Sequence, residues 1–183
     1  MLARLAPLLS HLEEAATAYD LDPGFLLQVL INESYLDPLA HGPTNDVGLS
    51  QVTSDALTLL SAISAEAGSR FANPLLFARR ASAYDPEFSV CAGAAKLAWA
   101  SSQPNGEDQG VAYARYINPL DGVKDGAVAS THVAPVTAML KLGELVDRLA
   151  AVVVAYRADP ESVADGERRL LEVASAVEAG ALD

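Results

Sequence analysis

Cysteine is nearly missing from this 183-residue chain. Cys91 stands alone, so no internal disulfide can form and the thiol carries no signal about the redox compartment. It lies among small residues in Ser89-Val90-Cys91-Ala92-Gly93-Ala94-Ala95, a context that reads as an inert buried thiol rather than a nucleophile. Histidine is scarce as well: His11, His41 and His132 are scattered without metal-ligand spacing, and neither a metal nor a cofactor is expected. Positive charge is short, with 12 Lys and Arg against 24 Asp and Glu and a net charge of −12. That balance excludes a nucleic-acid footprint and argues against an anionic membrane surface; it also weakens electrostatic capture of an anionic polymer. No apolar run reaches the roughly 18 residues that a membrane span needs. The N-terminal run from Leu2 to Leu9 is too short, and too soon followed by Glu13-Glu14, to read as a signal peptide.

Aromatic residues make up only 6% although hydrophobic residues reach 51%. The core must therefore be built from Leu, Val and Ala, a composition that favours helices. Strand signals are almost absent, so the expected fold is mostly all-α, with at most a small β-hairpin near residues 40 to 50. The length suits one domain with a helical appendage. The reading divides it into a main domain over 1–133 and an antiparallel helical hairpin over 134–183.

Leu5, Leu8, Leu9, Leu12, Ala15, Ala16 and Tyr19 recur with helical period and predict a first helix over about 4–19. Asp22-Pro23, Asn73-Pro74 and Asp85-Pro86 each read as an N-cap followed by proline at the first helical position. A further helix is expected from Thr53-Ser54-Asp55, and a short one carries Val111 to Tyr116. Residues 118–132, rich in Pro, Gly, Asp and Lys, read as an irregular stretch beside a cleft. Pro135 opens a long helix to about 158, and Glu161 opens the last one. That C-terminal pair would pack on the main domain or serve a protein partner or self-association.

The helix that starts at Pro23 puts Leu26, Val29, Leu30 and Glu33 at i, i+3, i+4 and i+7. A carboxyl group therefore occupies the next place on an apolar stripe. Burial there disfavours ionisation and makes Glu33 a proton donor near neutral pH. A loop later comes Gly48-Leu49-Ser50-Gln51, where Gly48 admits close backbone approach and Gln51 offers amide hydrogen bonds.

Glu33-Ser34 at the end of an apolar helix, followed about 15 residues later by Gly48-Leu49-Ser50-Gln51, resembles the soluble lytic transglycosylase and goose-type lysozyme group. The resemblance covers roughly residues 15 to 125. It implies a lysozyme-like helical domain acting on peptidoglycan glycan strands at the cell wall, in an extracytoplasmic or virion-associated setting. It implies that Glu33 is the catalytic acid and base, with Ser34 assisting and Gly48, Leu49, Ser50 and Gln51 across the cleft. The family's third motif is a Tyr-Asn pair whose tyrosine hydroxyl is directed at the Glu. Here Tyr116 is the best match, with Ile117 where Asn is expected and Asn118 one residue late.

Glycoside hydrolysis ordinarily needs two carboxylates. The resemblance implies that one suffices, because in lytic transglycosylases the muramic acid's own 6-hydroxyl attacks the anomeric carbon. Asp37 and Asp46, both in turn-like contexts, are the acidic residues between the first two motifs that a hydrolytic lysozyme could use instead. Tyr35, Tyr84 and Trp99 are aromatic candidates for a sugar groove. The competing expectation is a lysozyme-like scaffold without turnover, serving as a wall-binding or structural component of a phage particle or envelope assembly.

Overall fold

The computed structural model describes residues 2–65, 84–143 and 146–147. The predicted first helix is divided: α1 spans Leu2–Leu5, a 3-10 turn spans Ala6–Leu8, and α2 spans Leu9–Tyr19. Pro7 is the physical reason, since it has no N–H to continue the ladder and its ring crowds the preceding turn. Asp20 then closes α2 in the left-handed conformation.

The next helix, α3 (Pro23–Ser34), starts as its sequence dictates, with the Asp22 carboxylate accepting from the Phe25 N–H at 2.7 Å and Pro23 in the first turn. It ends where Tyr35 and Leu36 both adopt positive φ. The predicted stripe is too narrow, because Phe25, Leu26, Leu27, Gln28, Val29, Leu30 and Ile31 are all buried. α3 is thus packed on nearly every side, by α2 and by two later helices, Pro86–Ser101 and Val133–Lys141. Each fully buried Leu or Val contributes on the order of 1.5–3 kcal/mol of apolar burial.

Thr53 receives the Ala56 N–H on its hydroxyl at the start of α4 (Ser54–Ala65). α5 (Pro86–Ser101) begins under an Asp85 cap that accepts from the Phe88 N–H at 2.9 Å. Its Ala92, Gly93, Ala94, Ala95 and Ala98 are buried, and the small side chains let α2, α3, α4 and the helix that follows, Gln109–Ile117, approach it. α6 (Gln109–Ile117) is capped by Asp108, and α7 (Val133–Lys141) packs on α3 and α6. The Asn73-Pro74 helix start and most of the expected C-terminal hairpin lie outside the described residues.

Near residues 40–50, where at most a small hairpin was expected, there are single bridges, from Val47 to His41 and to Val52. The two-stranded antiparallel sheet lies instead within the stretch read as irregular, where β1 (Val123–Lys124) pairs with β2 (Ala127–Val128). Asp125 and Gly126, with φ of 52° and 80°, form the turn between them. A two-residue turn with both central φ values positive matches the twist of paired strands. All the elements described are helical apart from this small sheet, and the fold is mostly all-α.

Candidate active site

The last turn of α3 carries Glu33 to the floor of a cleft of about 500 Å³. Thr44 and Asp46 from the loop after α3, Gln51 and Thr53 before α4, Asp55 on α4 and Lys96 on α5 contribute to its walls, with Tyr116 to Leu120 closing the far side. Three carboxylates therefore share the cleft with one cation.

Tyr113 on α6 donates its hydroxyl hydrogen to Glu33 Oε1 at 2.5 Å. Asn32, the neighbour of Glu33, donates from Nδ2 to the Tyr113 oxygen at 2.6 Å. A phenol that accepts from an amide has its own hydrogen free to point elsewhere, so Asn32 orients the Tyr113 donor onto Glu33. Glu33 Oε2 has no hydrogen-bond partner among the described residues. Burial raises the Glu33 pKa above its ordinary value; the Tyr113 hydrogen bond and the charge of Lys96 pull it down, and Asp46 adds to the rise. The net shift is upward, leaving a carboxyl group that holds its proton longer than an exposed glutamate. Burial, with the Glu33 charge and hydrogen bond, also pushes the Tyr113 phenol up, so it stays a donor.

Tyr116, which the motif comparison aimed at Glu33, has another partner. Its hydroxyl donates to the Ser50 carbonyl at 2.6 Å. Its ring stacks with that of Tyr113, centroids 6.0 Å apart and planes 22° from parallel. The two tyrosines are about one helical turn apart on the same face, and the earlier one is level with Glu33. Tyr113 is followed by Ala114, so a Tyr-Asn pair occurs at neither tyrosine.

Ser34 does not line the cleft. Its buried hydroxyl lies 2.8 Å from the Leu49 carbonyl and 3.1 Å from that of Leu30, which ties the Gly48–Gln51 segment to the end of α3. Leu49 is core, and Ser50 is wholly buried. The Ser50 N–H donates to the Ser89 hydroxyl at 3.1 Å, and the two hydroxyls are also 3.1 Å apart. Gly48 takes φ 75° and Gln51 the strained value of 47°, which turns the Gln51 side chain into the cleft. Gln51 Nε2 donates to the Gly48 carbonyl at 2.9 Å, leaving its own carbonyl oxygen without a partner among the described residues.

The two carboxylates weighed as a second catalytic group are separated by the fold. Asp46 lines the cleft; Asp37 does not. Asp37 accepts from the Leu39 N–H and pairs with Arg4 at 3.3 Å on the surface. Partial burial opposes ionisation of Asp46. Hydrogen bonds from the Thr44 hydroxyl and from the Asp46 and Thr44 backbone, with His41 nearby, together outweigh it and hold the carboxyl below the usual range. Asn118 borders the cleft while its side-chain oxygen accepts from the Leu120 and Asp121 N–H groups. Tyr35, Tyr84 and Trp99 do not line this cleft.

Tyr113, Asn32, Asp55 and Lys96 are the site residues that motif reading passes over. Among the described residues no group of His, Cys, Asp and Glu is arranged to hold a metal ion, and no helix is long and apolar enough to cross a membrane.

The Transglycosylase SLT domain family matches residues 10–170, while no curated protein and no solved structure gives a match. That match spans most of the chain, and it covers the helix that carries Glu33, the Gly48–Gln51 segment and the two tyrosines on α6. The chain belongs to the transglycosylase SLT domain family, and at family level it is a lytic transglycosylase-like domain directed at peptidoglycan.

Proposed function

We propose that this protein is a lytic transglycosylase that cleaves the β-1,4 bond between N-acetylmuramic acid and N-acetylglucosamine, with Glu33 as its single acid and base. The observation that carries the reading is the half-buried Glu33 side chain at the cleft floor, gripped on one oxygen by Tyr113 and open on the other.

Glu33 first protonates the glycosidic oxygen, and the bond from that oxygen to the anomeric carbon breaks. The muramic acid 6-hydroxyl then attacks the anomeric carbon, and the Glu33 carboxylate takes the hydroxyl proton. The product is a 1,6-anhydro end, and Glu33 is again protonated. The Tyr113 donor on Oε1 leaves Oε2 to carry the proton in both half-reactions. The Gln51 carbonyl oxygen is placed to accept from a sugar hydroxyl or N-acetyl N–H.

Asp46 supports a second reading, hydrolysis, because it is ionised and lines the same cleft. Mass spectrometry of fragments released from purified peptidoglycan decides between them, with Glu33→Gln as control. Anhydro ends that disappear in the variant support the transglycosylase. Fragments heavier by one water with reducing ends indicate hydrolysis through Asp46. Release that persists in Glu33→Gln overturns both, and no release from the folded protein favours a wall-binding scaffold. The site of action that accompanies the first reading is the cell wall, outside the cytoplasm or on a virion.

A further inference from the structure

Lys96 is the only charged residue in the buried core among the described residues, with 5% of its surface exposed. It sits on α5 in the run Gly93-Ala94-Ala95-Lys96-Leu97-Ala98, surrounded by small and apolar side chains. Its ammonium lies 4.3 Å from the centre of the Tyr116 ring. Among the described residues it has no hydrogen-bond acceptor, and no carboxylate comes within ion-pair distance. A ring face attracts a cation but takes none of its three N–H donors in full. A largely buried ammonium with only a ring face beside it gains from any carboxylate in the cleft it lines.

The cleft supplies such a carboxylate. Lys96 is the only cation among its lining residues, and Glu33 lines the same cleft. The ammonium has little to act on while Glu33 is protonated. Once Glu33 has released its proton, a carboxylate shares the cleft with it, and the two charges attract. The interaction thus grows as the reaction proceeds, which is the kind that lowers a barrier rather than merely tightening binding. The seat is rigid: the Tyr116 hydroxyl is fixed on the Ser50 carbonyl, and its ring rests on Tyr113, the residue that grips Glu33 Oε1.

We infer that Lys96 is an electrostatic positioning residue for Glu33, its ammonium held on the Tyr116 ring so as to stabilise the Glu33 carboxylate formed when the proton is transferred. The chemistry of that transfer rests on the transglycosylase reading; the pairing of the two charges does not. The groups that face Glu33 are Lys96 from α5, Tyr113 and Tyr116 from α6, Asp46 from the loop with His41 beside it, and Asp55 from α4. Asp46 opposes ionisation of Glu33 and Lys96 favours it, so removing Lys96 leaves the opposing carboxylate unbalanced.

The test is a carboxyl-carbon NMR titration of Glu33, assigned with Glu33→Gln, in the wild type, Lys96→Met and Lys96→Arg. The Glu33 midpoint should move to higher pH in Lys96→Met and return toward the wild type in Lys96→Arg. In wall digestion, Lys96→Met should lose kcat about tenfold with little change in KM, and its alkaline limb should move up in pH. An unchanged Glu33 midpoint in folded Lys96→Met overturns the inference. So does a wild-type Lys96 nitrogen signal that reports a neutral amine while Glu33 titrates, a measurement that needs no variant to fold. A moved midpoint without wall cleavage supports the charge pairing and sinks the transglycosylase reading; cleavage with an unmoved midpoint does the reverse.

Discussion

Tyr113 and Glu33 are 80 residues apart in sequence, yet the tyrosine hydroxyl stands 2.5 Å from Glu33 Oε1. The contact joins the last turn of α3 to the middle of α6 and fixes which carboxyl oxygen faces the cleft. Removing the hydroxyl in Tyr113→Phe takes a donor from the ionised form, so the Glu33 pKa should rise further. Activity should fall roughly 100-fold, by analogy with the loss of one preorganised donor. Its alkaline limb should move to higher pH, as read from the rate of fragment release across a pH series.

Ser34→Ala removes the hydroxyl that bridges α3 to the Leu49 carbonyl. The buried carbonyl loses a partner, at a cost of about 1–3 kcal/mol. Denaturant unfolding should show that loss, whereas wall digestion well below the melting point should change less than in Tyr113→Phe. A Ser34→Ala protein of wild-type stability and no activity would contradict the structural placement of this serine.

Gly93→Ala tests the packing behind the cleft. A Cβ at residue 93 would lie 2.7 Å from the Ser50 Cβ and 3.4 Å from the Tyr116 hydroxyl. Ser50 is wholly buried and cannot move aside without disturbing its bonds to Ser89 and Tyr116. Destabilisation of about 1–3 kcal/mol is expected, measurable by thermal melting, with a loss of activity as Tyr116 is displaced.

Stability should depend on pH through Glu33 and Asp46 with opposite signs. The Glu33 pKa is raised on folding, so its stabilising contribution is complete below the unfolded value near 4.5 and is lost as pH rises through the folded value. Glu33→Gln should therefore melt at or above the wild-type temperature at neutral pH, with the difference narrowing in acid. The Asp46 pKa is lowered, so its contribution is present above about 3.8 and is lost as pH falls through the folded value. Asp46→Asn should show its deficit at neutral pH and lose it in acid. Melting curves of the three proteins across pH 3 to 8 check both signs.

The fold's helices were legible where local chemistry decides them. Asp22-Pro23 and Asp85-Pro86 start helices as caps because the carboxylate satisfies a free N–H and proline needs none. Glu33 was legible because its place on the apolar stripe is a local property of one helix. Tyr113 was not, since both tyrosines share a face of α6, and only the axial position of α6 against α3 decides which one reaches the glutamate. Lys96 was hidden by the same kind of dependence: an Ala-rich helix reads as packing surface, and the lysine's meaning arises from the Tyr116 ring beside it and Glu33 in the same cleft. The β1–β2 hairpin did have a signal, Asp125-Gly126 flanked by Val123 and Val128, outweighed by the loop-like composition around it. The small pairing near 40–50 fell short of a hairpin because Val47 divides its bonds between two neighbours.

The burial of α3 on nearly all sides has a consequence for how the cleft can breathe. Amide hydrogens along α3 should exchange with solvent only when the whole fold opens, whereas those of the loop around Thr44 and Asp46 should exchange through local fluctuations. Under the proposed function, a long glycan strand threading the cleft would meet one side with the stiffness of the entire core and another that can yield. Glu33 belongs to the stiff side, so under the proposed mechanism accommodation of different strands falls to the loop and leaves the Glu33 carboxyl in place.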